Sequence, residues 1–384
     1  MTGDRDRLYA AAFLRSLATG LSGVLLGLYL AEVGLSSTQI GYAISAGLAG
    51  GALAALITTI AGDRIGRRRT LTVVNLMGAG GGLVLAFTGA PWLLIAAAFA
   101  GMVNGMGRDR GATLILDQTI LPSTTTDSDR TRTFAIYNVC QDVGHAVGGL
   151  LAVIPDMKLC MILYAVLLAL AAIVCATLSP AVESSTPTAR PTLSPRSRGL
   201  ITRIAALFAM DSLGGGFLTT SLLAYFFHER FQAPAATIGI LFFAARIANA
   251  GSHLGAAWLA KRIGLVNTMV FTHLPSSLLL LTVPFAPNFT GAAILFLLRE
   301  SLVEMDVPTR QSYVVAVVSP EERTVASGIT HLVRLGAWAV APAFAGTMMS
   351  GALGAPLIAG AGLKIAYDLL LWRAFRGVKA PEEQ

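Results

Sequence analysis

Two long runs without Asp, Glu, Lys or Arg constrain this chain more than any other feature. One run extends from Ser36 to Gly62, and the other extends from Thr70 to Gly107. Both exceed the roughly 20 apolar residues that a helix needs to cross about 30 Å of hydrocarbon. Only 13% of the 384 residues are charged, which is about half of the share found in soluble domains. We therefore expect an integral membrane protein.

Apolar stretches of this kind recur along the chain and predict an all-α integral membrane fold with twelve transmembrane helices. The first stretch is too long for the core of a signal peptide and lacks a small-residue cleavage site, so we expect it to remain as a helix. Forty glycines are present, and small residues let helices approach closely in lipid. The expected spans are residues 8–31, 38–61, 71–90, 92–119, 132–154, 158–178, 201–227, 236–259, 266–286, 290–317, 324–349 and 352–374.

The basic residues lie in alternate loops, and this arrangement predicts the orientation of the chain. The net charge of +7 is then explained by a membrane rather than by nucleic acid, which we do not expect as a partner. The only basic residues in the loops on the opposite side are Lys158 and Arg230. By the positive-inside rule, both termini and residues 62–70 are cytoplasmic. We expect a multi-pass protein of the cell (inner) membrane, embedded in the lipid bilayer.

A polar stretch divides the twelve spans into two groups of six. Residues 179–199 are rich in Ser, Thr and Pro, a composition typical of a flexible linker. A shift of 198 residues (262 − 64) aligns Arg64-Ile65-Gly66 with Arg262-Ile263-Gly264, and the same shift aligns Gly41 with Gly239. This register indicates an internal duplication. We expect six-helix bundles at residues 1–178 and 201–384, joined by a cytoplasmic linker at residues 179–200.

The segment "TIAGDRIGRRRTL" carries a resemblance to a known family. It is similar to the loop 2–3 signature of the major facilitator superfamily, G-x-L-a-D-R-x-G-R-R/K-x-x-L, and the two six-helix halves follow the plan of that family. The resemblance implies the twelve-helix fold of this family, with the loop acid and arginines in a cytoplasmic charge network with an acid at the end of helix 4. The implied gate residues are Asp63, Arg64, Gly66, Arg67, Arg68 and Asp117.

Residues 144–149, "GHAVGG", resemble the G-P-x-x-G-G antiporter signature of drug exporters, with His145 in place of the proline. This resemblance favours export over uptake. Gly144, Gly148 and Gly149 would let helix 5 pack tightly against a neighbour, and ordinary helix packing is the alternative explanation.

Ionisable residues within the spans are the candidate functional groups. Each costs about 2.5–3.5 kcal/mol in the bilayer centre and therefore requires a partner or a water-filled cavity. Lys364 and Asp368 lie four residues apart in span 12 and are expected to pair, as are Asp306 and Arg310. The expected substrate and proton pathway contains Arg15, Arg110, Asp142, Asp211, Arg246, Glu300, Glu304, Asp306, Arg310, His331 and Arg334.

These residues predict a secondary active transporter that moves a small organic solute by rocker-switch alternating access. A buried acid can take up and release a proton, so protons are the expected coupling partner and efflux the expected direction. Glu300 is the first candidate carrier, facing Arg110 or Arg334, and Asp211 and Asp142 follow it. We expect no cofactor and no metal, and the family resemblance implies a monomer.

Other functions compete with this interpretation. Arg15, Arg110, Arg246 and Arg334 would also suit a transporter of an organic anion or a metal chelate. A non-transporting sensor is a further possibility. A membrane enzyme is disfavoured, because the five histidines show no metal-ligand spacing and no nucleophile motif occurs.

Overall fold

The computed structural model describes residues 2–108, 111–125, 130–183, 194–305, 310, 318 and 322–375. Within these ranges the regular structure consists of α-helices and short 3-10 turns, without strands. The helices are α1 (Thr2–Glu32), α2 (Ser37–Ile65), α3 (Arg67–Phe87), α4 (Pro91–Ala100), α5 (Ala112–Ile120), α6 (Arg130–Leu150), α7 (Met157–Ala176), α8 (Pro195–Gly216), α9 (Thr220–Phe231), α10 (Ala235–Ile263), α11 (Leu265–Thr282), α12 (Phe289–Val303), α13 (Arg323–Gly351) and α14 (Ala355–Phe375).

The described chain has the helix lengths and the surface of a membrane protein. Nine of its helical segments are long and apolar enough to cross a membrane, and Pro91–Ala100 is a shorter apolar helix. Many large apolar side chains point outward, among them Leu76, Phe87 and Trp92. Such exposure would be unfavourable in water but suits contact with lipid. The predicted all-α membrane architecture is confirmed.

Three of the predicted spans are not continuous helices, and these three boundaries are corrected. Within span 290–317, α12 ends at Val303 and a turn follows at Glu304 and Met305. Span 92–119 is divided into α4 and α5, because the segment between them is rich in glycine and contains positive φ angles at Met102 and Gly107. Span 201–227 is divided into α8 and α9, where the Thr219 side chain accepts a hydrogen bond from the N–H of Leu222 and starts a new helix. Glycine costs about 1 kcal/mol in a helix relative to alanine, which favours the break in span 4.

Equivalent corners follow α2 and α10. Gly66 joins α2 to α3 with φ at 101°, and Gly264 joins α10 to α11 with φ at 84°. Four residues later, Thr70 donates its hydroxyl to the Gly66 carbonyl at 2.8 Å, and Thr268 does the same to Gly264 at 2.7 Å. These corners are 198 residues apart (264 − 66), so the local structure repeats in the register of the proposed duplication.

The described residues form two compact units. The first contains the residues up to 183 together with Thr219–Phe243 and Pro342–Ser350. Its core includes Leu8, Leu71 and Tyr137. The second unit contains the other described residues, and its core includes Phe208, Met269 and Tyr367. These units follow packing rather than chain order, and the predicted boundaries at residues 178 and 201 stay a prediction.

Candidate functional site

The second unit contains a buried carboxylate that holds two cations. Asp211 lies on α8, and its Oδ1 accepts a hydrogen bond from the Nζ of Lys364 at 2.8 Å. Its Oδ2 accepts one from Nη1 of Arg310, also at 2.8 Å. Both cations are buried with it. Asp211 and Arg310, predicted separately as pathway residues, therefore belong to one ion-pair network.

His273 on α11 extends this network to a second acid. Its Nδ1 lies 2.9 and 3.0 Å from the two carboxylate oxygens of Asp368, and its Nε2 lies 3.3 Å from the Nζ of Lys364. A lysine ammonium can only donate, so Nε2 is the acceptor and Nδ1–H donates to Asp368. Lys364 and Asp368 thus both contact His273, and the direct pair expected from their spacing stays a prediction. We call Asp211, His273, Arg310, Lys364 and Asp368 the Asp211 cluster.

Glycines bring the two helices of this cluster into close contact. A Cβ at Gly214 of α8 would lie 2.9 Å from the carbonyl oxygen of Gly360 on α14, and a Cβ at Gly360 would lie 2.9 Å from that of Gly214. Such short contacts exclude any side chain at either position. Lys364 and Asp368 lie one turn apart on the same face of α14. The close crossing therefore positions Lys364 against Asp211.

Aromatic rings border the cluster. The Tyr367 ring meets the rings of Phe208 and His273 edge to face, with centroids 6.5 and 5.9 Å apart. The guanidinium of Arg310 lies 5.3 Å from the centre of the Phe208 ring. Apolar surroundings of this kind exclude water and strengthen the interactions between the buried charges.

Glu300 on α12 is held by two neighbouring side chains. It forms an ion pair with the adjacent Arg299, and its Oε2 accepts a hydrogen bond from the Nδ2 of Asn249 on α10 at 2.9 Å. Arg334 donates from Nε to the hydroxyl of Ser212 at 3.1 Å and lies over the Trp338 ring. Arg110 lies outside the described residues, and the expectation that Arg110 or Arg334 faces Glu300 stays a prediction.

Two polar atoms beside Glu300 are unusual. Among the described residues, Oδ1 of Asn249 and Nε of Arg299 are buried without a hydrogen-bond partner. Buried polar atoms are nearly always paired. Donors from Asn249 and Arg299 therefore hold the carboxylate of Glu300. The same two side chains also provide one additional acceptor, Oδ1 of Asn249, and one additional donor, Nε of Arg299. Sequence reasoning missed Asn249, although an asparagine within an apolar span is a detectable signal.

The first unit contains a buried ion pair between a predicted pathway residue and a predicted gate residue. Arg15 of α1 pairs with Asp117 of α5. The Tyr137 hydroxyl donates to Oδ2 of Asp117 at 2.8 Å, and Gln141 donates to the Tyr137 oxygen at 3.3 Å. Tyr137 and Gln141 lie one turn apart on α6 and were not predicted. This network connects α1, α5 and α6.

The corner between α2 and α3 is held by an acid from the predicted linker. The Glu183 carboxylate accepts hydrogen bonds from the backbone N–H groups of Arg67 at 2.6 Å and Arg68 at 3.2 Å. A carboxylate in this position satisfies unpaired donors at a helix N-terminus and interacts favourably with the helix dipole. Asp63 lies in α2, and the placement of its side chain is outside the described part. The predicted gate network stays a prediction.

The other predicted pathway residues lie in several environments. Asp142 has an exposed side chain on α6. Arg246, Glu304 and His331 are half-buried. Arg110 and Asp306 lie outside the described residues.

The glycines of "GHAVGG" lie against α1. A Cβ at Gly144 would lie 2.7 Å from the Cβ of Ser16, and a Cβ at Gly148 would collide with the carbonyl group of Leu17. A Cβ at Gly149 would have ordinary contact with Val24, at 3.7 Å. Two of these three positions therefore require glycine for the packing of α6 against α1.

Similar close crossings join segments of both sequence halves within the first unit. A Cβ at Gly27 of α1 would lie 2.5 Å from the carbonyl oxygen of Ser221 on α9. A Cβ at Gly41 of α2 would collide with the carbonyl oxygen of Pro342 on α13. A Cβ at Gly239 of α10 would lie 2.6 Å from the carbonyl oxygen of Gly149. At each of these three crossings, the backbones of the two segments come into close contact.

The breaks in spans 4 and 7 also meet within this unit. The N–H of Ser221 donates to the Gly105 carbonyl at 3.0 Å, and the Thr220 hydroxyl donates to the Met106 carbonyl at 2.8 Å. The hydroxyl of Ser22 on α1 donates to the Asn104 carbonyl at 2.9 Å. Backbone groups released by the break in span 4 are thus satisfied by α1 and α9, as irregular backbone in a membrane requires.

Comparisons with known proteins agree with this architecture. The family model described as Major Facilitator Superfamily matches residues 8–342. An uncharacterized membrane protein of Saccharomyces cerevisiae is 26% identical over 425 residues, covering 98% of this chain and 95% of that protein. The crystal structure of nucleoside transporter NupG has a TM-score of 0.80 at 15% identity and covers 97% of this chain and 99% of its own. The crystal structure of a D-xylose-proton symporter has a TM-score of 0.71 at 14% identity, with coverage of 97% of both chains. The predicted fold is confirmed.

Proposed function

Because the chain belongs to the Major Facilitator Superfamily, we propose that it is a proton-coupled transporter that exports a small organic solute. Glu300 carries this proposal. It is a buried carboxylate within an apolar helix, and it is held by Arg299 and Asn249. Placing an acid there is costly unless it has a function or a partner. Two of the proteins with a similar fold are a nucleoside transporter and a D-xylose-proton symporter, which supports a small polar organic substrate.

The partners of Glu300 suit a group that changes its protonation. With the carboxylate ionised, Arg299 neutralises its charge and Asn249 donates to it. When the acid is protonated, it becomes a donor, and the free Oδ1 of Asn249 is an acceptor beside it after rotation of the amide. Both states thus have hydrogen-bond partners within the described residues.

The close crossings of the first unit support alternating access. Close backbone contacts at Gly27, Gly41 and Gly239 join segments of the two sequence halves, as the closed end of an alternating-access transporter would require. We propose that these crossings open once in each transport cycle, while the 62–71 loop and its arginines control the opposite end.

Direction and orientation are further parts of the proposal. The likeness of "GHAVGG" to an exporter signature supports efflux. The basic loops support cytoplasmic termini in the cell (inner) membrane, with the protein acting as a monomer. Transport of an organic anion receives less support, because Arg15 is paired with Asp117 and contributes less free positive charge than an anion site would need.

Solute flux into sealed vesicles tests this function. Purified protein is reconstituted into liposomes that contain a pH-sensitive dye, and uridine, D-xylose, an organic cation and an organic anion are offered with and without a pH gradient. We expect one class to cross faster than in protein-free liposomes, with accumulation that follows the gradient and is accompanied by proton movement. Absence of flux for every class, or flux that ignores the gradient, would contradict the proposal.

A further inference from the structure

The outward face of α10 combines an apolar stripe with a basic end. Ile247, Gly251, Trp258 and Arg262 are all exposed, and the exposed fractions of Ile247 and Trp258 are 59% and 56%. At about 100° per residue, the four positions lie within about 60° of one another around the helix axis. A Cβ at Gly251 would have no atom of the described residues within 4 Å. The stripe therefore leaves space at Gly251, between two large apolar side chains.

The length of α10 places Trp258 and Arg262 at the edge of the bilayer. The helix has 29 residues and ends at Ile263, and at about 1.5 Å per residue it extends about 43 Å. This length is close to the thickness of a bilayer with both of its headgroup layers. Tryptophan is enriched at the boundary between hydrocarbon and headgroups. Arg262, which is one turn further along the helix, therefore reaches the headgroup layer.

Trp258 and Arg262 form a preorganised pair of hydrogen-bond donors. The guanidinium of Arg262 lies 4.1 Å from the centre of the Trp258 ring. Stacking of this kind engages the face of the guanidinium and leaves the N–H groups at its edge able to donate. Within the part of the chain that the structure describes, neither the guanidinium nor the indole N–H has a hydrogen-bond or ion-pair partner. A phosphate group accepts well from a guanidinium, and an indole N–H can donate to an ester carbonyl.

The charge around Arg262 distinguishes between classes of lipid. Residues 230–299 contain no Asp or Glu, and this range includes all of α10 and α11. A zwitterionic headgroup would bring its own cation close to Arg262, without a carboxylate from either helix to receive it. A headgroup with a net negative charge brings only the complementary charge. Charge complementarity therefore favours an anionic phospholipid.

We propose that the outward face of α10 binds one anionic phospholipid, with its phosphate at Arg262, an ester group at Trp258 and an acyl chain beside Gly251. Gly251 and Arg262 are about 16 Å apart along the helix, close to the depth of about 15 Å of one hydrocarbon leaflet. A single lipid thus reaches both positions. By the positive-inside rule, this lipid belongs to the cytoplasmic leaflet. The site is separate from any solute pathway and does not depend on the proposed transport activity.

Quenching of tryptophan fluorescence by brominated lipids tests the site. The full-length protein is reconstituted into phosphatidylcholine vesicles that contain the same mole fraction of either brominated phosphatidylglycerol or brominated phosphatidylcholine. The chain has four tryptophans, and comparison with Trp258→Phe isolates the signal of Trp258. At low salt we expect the apparent affinity of the Trp258 site for phosphatidylglycerol to be about fivefold higher than for phosphatidylcholine. High salt should weaken this preference.

Arg262→Gln supplies the decisive comparison. It removes the phosphate ligand and keeps Trp258 as the reporter, so the two brominated lipids should then quench equally. Arg203→Gln removes an exposed cation from α8 and is the matched control, which is expected to keep the preference.

Three results would overturn the proposal. The first is equal quenching by both lipids in the wild type, and the second is a preference that persists in Arg262→Gln or that Arg203→Gln abolishes to the same extent. The third is the absence of quenching by either lipid, which would show that a protein surface covers this face of α10.

Discussion

Arg15 and Asp117 form an ion pair that is almost completely removed from solvent, with exposures of 2% and 0%. The pair connects α1 to α5 and is extended by the hydroxyl of Tyr137 on α6. Its charges cancel, and the Tyr137 hydroxyl occupies part of the hydrogen-bonding capacity of the carboxylate. The pair therefore anchors α5, the C-terminal part of span 4, which a break in the helix separates from α4.

Removing one member of this pair should destabilise the protein strongly. Arg15→Met or Asp117→Leu leaves a buried charge without its counter-charge, at a cost of about 3–5 kcal/mol. The double variant removes both charges and should recover most of this loss. Unfolding in detergent, followed as a double-mutant cycle, measures the coupling. Arg203→Met, at an exposed position on α8, is the matched control, and single variants as stable as this control would contradict the prediction.

Alanine substitutions at two glycines of α2 should change the stability of the protein in opposite directions. A Cβ at Gly41 would collide with the Pro342 carbonyl oxygen and lie 2.9 Å from the Cα of Gly346, whereas a Cβ at Gly51 has no atom within 4 Å among the described residues. Gly41→Ala should cost about 1–3 kcal/mol through overpacking. Gly51→Ala should stabilise the helix by about 0.5–1 kcal/mol. Thermal unfolding of both variants checks this, and equal shifts would show that the α2–α13 crossing is not tight.

The orientation of the chain can be tested by cysteine labelling in intact cells. A cysteine at Ser185, within the predicted cytoplasmic linker, should resist a membrane-impermeant thiol reagent until the cells are opened. A cysteine at Ala352, between α13 and α14, should react from the outside. The native cysteines are buried or half-buried, which limits background labelling. The reverse pattern would place both termini outside.

The repeat and the helix-rich fold could be predicted from the sequence because both depend on local patterns. The shift of 198 residues paired Gly41 with Gly239 and Gly66 with Gly264. In the structure, the first two lie at close helix crossings and the last two form corners with positive φ. The uncharged runs likewise predicted the membrane-spanning segments, because length and polarity decide whether a helix can cross a bilayer.

The partners of the buried charges could not be predicted in the same way. Spacing on one helix suggested that Lys364 binds Asp368, and it gave no sign that the helix crossing at Gly214 places Lys364 against Asp211. His273 was recognised only as a histidine without metal-ligand spacing. Its role in joining Lys364 to Asp368 depends on contacts between residues about 90 positions apart, which no local pattern reports.

Glu300→Gln should separate proton coupling from solute movement. The glutamine keeps the shape of the side chain and can still accept from Asn249, but it can no longer bind or release a proton. Because Arg299 would lose its counter-charge, a modest loss of stability is expected and should be measured alongside transport. In proteoliposomes, accumulation driven by a pH gradient should fall at least tenfold, while exchange between equal solute concentrations should stay within about twofold of the wild type. Glu229→Gln, an exposed acid on α9, is the matched control and should retain gradient-driven accumulation. A Glu300→Gln protein that still concentrates solute against a gradient would contradict this role of Glu300 and make Asp211 the next acid to test.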